Sequence, residues 1–272
     1  MLKNLIRPPF AYIGAKTKLL QWIYQFFPDH VTFVDVFGGT GVVTFNKIPS
    51  KNDVYNDING RIVNFYSVLR DEYSRQILQD LISLTPYSRR EFQNCKEPVD
   101  DPIEDARRFY VRQNQSFSGT ARVFGFEKGA KSNSLSKFYK LAWGGVIERL
   151  KNITFENLPF ERIFENYDST ETLFYCDPPY FETRGTDEYI EFWDEDKQKK
   201  MIKILKNVKG FVVLSGYEHD SLKELLDAGW KLEKKDFVCI MKNTKQGKDC
   251  ERSRTECLYL SPRVMEQQRR LF

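Results

Sequence analysis

The sequence predicts an α/β fold with a mostly parallel sheet. Three observations carry the prediction: strand-length runs of β-branched and aromatic residues recur along the chain, helical patterns separate several of them, and the strongest runs stop at glycine, proline or acidic residues. In an open sheet of this kind ligands bind outside the carboxyl ends of the strands, so the residues that stop the runs are the first candidates for a site.

In chain order, VTFVDVF (31–37) reads as the first strand, GGTG ends it, and VVTFNKI can start a helix. DVYND (53–57) is a shorter strand-like piece. From 59 to 84 the pattern is helical, with Ile62, Phe65, Tyr66 and Leu69 spaced three and four apart. TLFYCD, GFVVLSGY, DFVCIMKN and TECLYLS read as four further strands, with helical stretches at 197–207 and 220–227. The middle departs from this rhythm. Residues 85–166 show helical patterns and the Gly/Ser/Asn-rich stretch QSFSGTARVFGFEKGAKSNS. The organisation expected is an α/β core in two parts, 1–84 and 167–272, interrupted by a mostly helical insertion at 85–166.

Composition narrows the function classes. The 272 residues are 41% hydrophobic and 29% charged, the profile of a globular protein rather than a disordered or fibrous one. No apolar run approaches the roughly 20 residues of a membrane span, and the N-terminus lacks the apolar stretch of a secretory signal. Five scattered cysteines without CxxC pairing suggest reduced thiols and a cytoplasmic location. With two histidines and no cysteine cluster, no metal is expected. The net charge of +4 is mild, but between Arg107 and Lys140 eight basic residues face one acid. That local excess exceeds the excess of the whole chain and suits a phosphate-binding face.

DVFGGTG places Gly38, Gly39 and Gly41 between a strand and a helix, where glycine permits a tight turn and close approach of a ligand. The spacing does not fit G-x-G-x-x-G, so a ligand without pyrophosphate fits as well. Asp57, 22 residues after Asp35, either caps the next helix or hydrogen-bonds both hydroxyls of a ribose. Asp35, beside the glycine turn, could hold a cationic amine of the same ligand.

DPPY (177–180) follows an apolar strand and by chance arises in on the order of one chain per thousand of this length. Proline lacks an N–H, so the ladder stops there. The Asp177 carboxylate and the Pro178 carbonyl are both acceptors and together suit an NH₂ that donates twice. Tyr180 adds a flat face for a planar ring. Two acceptors on an exocyclic nucleobase amine turn its lone pair outward and stabilise charge developing on the nitrogen, which is the chemistry of N-methylation.

With these residues in place, the chain resembles the Dam-like DNA adenine N6-methyltransferases of the α group over nearly its whole length. PPFAYIGAKTKLL resembles the N-terminal Pro-Phe-x-x-Trp-x-Gly-Gly-Lys motif, with Tyr12 for Trp, Ala15 for the second glycine, and Lys16 matching. DVFGGTG resembles the first cofactor motif with Asp35 for Glu. NDIN and DPPY match, and FYVRQNQSFSGTAR resembles Asn-x-x-Phe-Asn-Gly-x-x-Arg with Ser118 for the second Asn. In ENLPFERIF, Pro159 stands where an acid is frequent. VVLSGY resembles the motif on the target-base side, and SRTECLYL the C-terminal Arg-x-Glu strand.

The resemblance implies a Rossmann-like, S-adenosylmethionine-dependent methyltransferase sheet carrying a mostly helical target-recognition insertion. It implies cofactor contacts from Tyr12, Lys16, Asp35, Phe37, Gly38, Gly39, Asp57, Phe160 and Asp177, and catalysis by Asp177, Pro178 and Tyr180 on an adenine flipped out of double-stranded DNA. Phe117, Arg122, Lys128, Lys131 and Asn133 are the candidate DNA contacts. Partners expected are duplex DNA and, in a bacterial or phage setting, a cognate restriction enzyme, with a monomer acting on DNA. Methylation of RNA adenine or of cytosine N4, methylation of a protein glutamine, and a non-catalytic nucleic-acid module remain the alternatives.

Overall fold

The structure is a computed structural model. It describes residues 5–12, 14–126, 134–141, 143–179, 193–242 and 249–270, with backbone only at 134–136, 237–242, 249–254 and 268–270. The elements run α1 (Leu20–Tyr24), β1 (Thr32–Asp35), α2 (Val42–Asn46), β2 (Asn52–Asn56), α3 (Gly60–Arg70), α4 (Glu72–Leu84), α5 (Arg89–Asn94), α6 (Pro102–Asn114), α7 (Ser134–Tyr139), α8 (Gly144–Leu150), β3 (Ile153–Glu156), α9 (Phe160–Tyr167), β4 (Thr172–Cys176), α10 (Glu195–Leu205), β5 (Phe211–Gly216), α11 (Lys223–Asp227), β6 (Lys231–Lys242), β7 (Asp249–Leu260) and α12 (Pro262–Arg270).

The seven strands form one sheet in the order β3-β2-β1-β4-β5-β7-β6. Five are parallel, while β7 runs antiparallel to β5 and β6 antiparallel to β7. This is a Rossmann-like α/β sheet, and the chain reverses its winding direction between β1 and β4, at the switch point where such sheets bind ligands. Register aligns the carboxyl ends: Asp35 pairs with Tyr55 on one side and Tyr175 on the other.

Alternation along the strands explains why both faces are covered. Val34, Phe174, Cys176, Val212 and Leu214 point to one face and pack with Ile163, Phe164, Met201 and Ile202 of α9 and α10. Phe33, Leu173, Tyr175, Phe211 and Val213 point to the other and pack with Leu20, Trp22 and Ile23 of α1 and with Val264 of α12. A third cluster joins Phe10, Phe45 and Tyr55 to Ile62, Phe65 and Leu69 of α3, to Phe109 and Tyr110 of α6, and to Phe138 and Trp143. Helices α5, α6 and α10 start where the sequence supplies caps: Ser88, Asp101 and Asp194 each accept the N–H of the residue three further on.

Two expectations differ from the structure. The helical pattern at 59–84 is two helices, because Asp71 leaves the helical region (φ −79°, ψ 126°) and caps α4 by accepting from Ser74 N at 2.8 Å. Strand β3 lies within the span assigned to the insertion and pairs in parallel with β2 at the sheet edge. Its four residues, only one of them buried, are too short and mixed for a strand signal. Among the described residues no helix is long and apolar enough to cross a membrane.

Candidate active site

A cleft of about 1040 Å³ opens over the carboxyl ends of β1, β2 and β4. The turn after β1 forms one wall. Gly38 N donates to Asn56 O (2.7 Å), and a Cβ at Gly38 would overlap the Tyr55 ring. Gly39 and Gly41 sit at φ 51° and 64°, the left-handed region that glycine occupies at little cost. Two buried tyrosines pin the turn by donating to its carbonyls, Tyr55 to Gly39 O (2.6 Å) and Tyr66 to Thr40 O (2.7 Å). Asn56 ties it to the opposite wall, donating to Val36 O and accepting from Leu158 N.

Asp57 is fixed by two N–H donors, Gly39 N to Oδ2 and Asn59 N to Oδ1, both at 2.8 Å. The helix cap is Asn59, which accepts from Arg61 N, so Asp57 is free of that duty and faces the cleft. Burial raises its pKa to about 6 against the opposing pull of the two N–H groups.

Asp35 is buried, and its Oδ2 accepts from Thr44 Oγ1 at 2.6 Å. Its Oδ1 has no hydrogen-bond partner among the described residues. Burial raises its pKa to about 7, with the charges of Asp177 and Asp57 adding to the rise and the Thr44 hydroxyl opposing it. A buried carboxylate oxygen left unsatisfied beside a cleft fits a cationic group of a ligand.

Phe37, Phe160 and Trp193 form an aromatic wall, with ring centroids 5.5 to 6.0 Å apart. Tyr12 lies across from them, against Gly39. The cleft thus offers an apolar slot for a flat ring, a carboxylate for a diol, and an orphan carboxylate oxygen for an ammonium. The donor set fits a nucleoside that carries an amino acid.

At the other end, Asp177 meets the N-terminal motif. Lys16 is buried and its Nζ sits 2.8 Å from Asp177 and 3.1 Å from Glu256. Burial alone would lower the Lys16 pKa, but the two carboxylates more than offset it and the value is raised. Glu256, on β7, is a site residue that sequence reasoning did not single out. Its signal was the Arg-x-Glu motif in SRTECLYL, which the antiparallel β7 carries to the same edge. Pro178 and Pro179 border both this cleft and a second hollow of about 490 Å³, lined by Leu214 to His219, Met201 and Leu222. Tyr180 lies outside the described residues.

In the middle of the chain, residues 115–125 form a hairpin-like turn, with Phe117 N donating to Val123 O and Gly125 N to Gln115 O. Ser118, Gly119 and Ala121 all have positive φ. Phe117 is 55% exposed, and Arg122 lines a separate basic cleft. Ala11 N donates to Asn114 at 3.2 Å, bringing the end of α6 beside the N-terminal motif. Lys128, Lys131 and Asn133 lie outside the described residues.

Sheet order and topology define a Rossmann-like α/β domain, and its switch-point cleft with paired strand-end acids suits a nucleoside. The family can be stated: residues 12–238 match the model of the D12 class N6 adenine-specific DNA methyltransferases, and the chain belongs to that family. It is similar to type II methyltransferase M.FokI of Planomicrobium okeanokoites, 27% identical over 84% of this chain and 38% of the relative. It is also similar to modification methylase LlaI of Lactococcus lactis subsp. lactis, 24% identical over 82% of this chain and 39% of the relative. Type II methyltransferase M.CviBI of Paramecium bursaria Chlorella virus NC1A is 23% identical over 82% of this chain and 87% of its own length. The chain thus spans under two fifths of the first two relatives.

The site makes one pH prediction. Asp35 and Asp57 have folded pKa values raised to about 7 and about 6. Their contribution to stability is therefore fully present below the unfolded value near 3.8 and is lost as pH rises through 6 to 7. The ligand-free protein loses thermal stability between pH 4 and 7. Asp35→Asn removes the part that extends to pH 7. A melting series in which that variant keeps the wild-type slope would refute the assignment.

Proposed function

We propose that the chain is an S-adenosylmethionine-dependent methyltransferase that modifies adenine N6 in duplex DNA after flipping the base. The observation that carries the proposal is the position of Asp177. It is held by Lys16 where the nucleoside-shaped cleft meets the hollow behind Pro178 and Pro179.

The cofactor supplies an electrophilic methyl group when bound. Asp57 would hold its ribose, the free Oδ1 of Asp35 its ammonium, and Phe37, Phe160 and Trp193 its adenine, with Tyr12, Gly38 and Gly39 closing the turn side. Asp177 and the Pro178 carbonyl accept the two hydrogens of the target amine and orient its lone pair. Charge developing on the nitrogen is stabilised by the Asp177 carboxylate, which Lys16 holds in place through an ion pair of 2.8 Å. Asp177 need not be a strong base, because the amine becomes acidic as the bond to carbon forms. Tyr180, next in the chain, is the candidate for stacking on the flipped ring. Such stacking is worth about 1–3 kcal/mol and offsets part of the few kcal/mol that unstacking costs.

The span 85–150, before β3, is proposed as the target-recognition insertion, with Phe117, Arg122, Lys128, Lys131 and Asn133 toward DNA. Relatives named as type II and modification methylases support a restriction-modification setting with a cognate restriction enzyme. The test is transfer of labelled methyl to plasmid DNA, followed by nucleoside analysis. N6-methyladenine is expected, and mapping it gives the recognition sequence. Label found only in RNA, only as N4-methylcytosine, or nowhere would overturn the reading.

A further inference from the structure

A second concave surface lies beside the cofactor cleft. It spans about 1460 Å³ between the start of α3, α5, α6 and the turn at 120–124, and Asn59 lines both clefts. Among the described residues its wall carries Arg61, Arg89, Lys96, Arg112 and Arg122 and not one acidic side chain.

The compensation of these charges is uneven. Arg61 is paired with Asp105 at 2.9 Å, and among the described residues Lys96 has only an exposed contact of 3.6 Å to Glu97. The Arg112 guanidinium sits over Phe92, 3.8 Å from the ring centroid, and donates to the carbonyls of Phe92 and Ala121. Both acceptors are neutral. Burial lowers the Arg112 pKa and the charge of Arg61 lowers it further, while Cys95 and Glu97 oppose them. Arg89, exposed at the start of α5, stacks over Phe124 at 5.0 Å and Phe126 at 5.7 Å, and none of its N–H groups bonds a described residue. Stacking holds a guanidinium plane while leaving its edge donors for a partner, and phosphate is the anion that the planar fork matches.

The occupant is indicated by what surrounds the cleft. It shares one lining residue, Asn59, with the cleft proposed for the methyl donor. On its other side the 115–126 turn exposes Phe117, Val123 and Phe126. Fixed cations beside exposed apolar side chains suit a sugar-phosphate backbone next to unstacked bases.

We propose that this cleft is a phosphate-gripping subsite for the DNA flanking the flipped adenine, with Arg89 and Lys96 as its solvent-facing contacts and the half-buried Arg112 as a source of positive field behind them. It rests on the DNA reading above and adds α3 and α5 to the surface expected from the 107–140 charge cluster.

The experiment compares Arg89→Gln/Lys96→Gln with Lys51→Gln/Lys151→Gln. The second pair removes the same charge from exposed lysines just before β2 and β3, at the amino ends of those strands and away from the clefts at their carboxyl ends. Duplex affinity is measured by fluorescence anisotropy between 50 and 200 mM KCl, and S-adenosylmethionine affinity by calorimetry as the check on folding. Two lost phosphate contacts lower the slope of log K against log salt by about 1.8, so the first variant's affinity falls roughly tenfold less than wild type's over that range. Its KM for DNA rises by a larger factor than its kcat falls. The control pair keeps the wild-type slope, and both variants bind cofactor as wild type does. An unchanged slope for Arg89→Gln/Lys96→Gln, or an equal loss in the control pair, overturns the subsite while leaving the methyltransferase reading intact. A wild-type protein that binds cofactor but no duplex overturns both.

Discussion

Asp177→Asn is expected to lower the rate of methyl transfer by about 10³-fold, with a much smaller change in cofactor affinity and a modest loss of stability. The substitution keeps the size of the side chain and removes two properties. It replaces one of two acceptors with an NH₂ that points donors at the donors of the target amine. It also removes the negative charge that opposes the charge developing on the nitrogen. Losing one preorganised stabilising group of this kind costs about 10²–10³ in rate, and the mispaired amide adds to that. Lys16 retains Glu256 at 3.1 Å, so the substitution does not strand a buried cation. Single-turnover kinetics on a mapped DNA site, with cofactor binding by calorimetry, measure the two quantities separately. A variant within tenfold of wild type in the chemical step would show that Asp177 is a structural residue of the turn.

The parts of the molecule legible in the sequence are those with a periodic or strongly punctuated signal. The strands β4 and β5 are buried on both faces, so TLFYC and FVVLSG are continuous apolar or small-residue runs that end at the residues of interest. Strand β3 carries no comparable signal. The break at Asp71 is a local choice between continuing one helix and capping another, which the 3.6-residue period does not register. The hairpin of β6 and β7 pairs twelve residues with twelve, although KLEKK reads as polar surface, because edge pairing is specified by the partner strand rather than by apolar content.

The site divides in the same way. Asp35, Asp57 and Asp177 were readable because each closes a strand, and parallel register brings strand ends together. Thr44 acts by reaching back to Asp35, Tyr55 and Tyr66 by reaching to the turn from neighbouring elements, and Trp193 comes from the far side of the DPPY segment. Their contribution depends on rotamers and packing that no spacing rule encodes. The basic cleft was half visible. Arg112 and Arg122 fall in the charge cluster, but Arg61, Arg89 and Lys96 precede it and join it only through the packing of α3, α5 and α6.

The largest effect on stability is expected from Lys16→Met. Lys16 is a buried cation between two carboxylates, one of them, Glu256, itself 3% exposed. Methionine fills the space and leaves like charges facing each other in a desolvated place, a change that costs about 3–5 kcal/mol. For a chain of this size that corresponds to roughly 10 °C in melting temperature. The pH dependence gives the sign. In the wild-type protein the Lys16 pKa is raised, so its contribution is fully present below the unfolded value of about 10.5 and is lost only as pH climbs through the folded value. Near neutral pH it adds no slope. In the variant the carboxylates of Asp177 and Glu256 face each other without the cation between them, and acid relieves that repulsion. The deficit against wild type is therefore largest at neutral and higher pH and shrinks toward pH 4. Adding Glu256→Gln to Lys16→Met removes one of the two charges and restores most of the stability. It does not restore methyl transfer, because the Lys16 ammonium no longer holds the Asp177 carboxylate toward the amine. A deficit that is flat with pH, or a double variant as unstable as the single one, would mean that Lys16 stabilises the fold by packing rather than by charge. Recovered activity in the double variant would mean that it does not position Asp177.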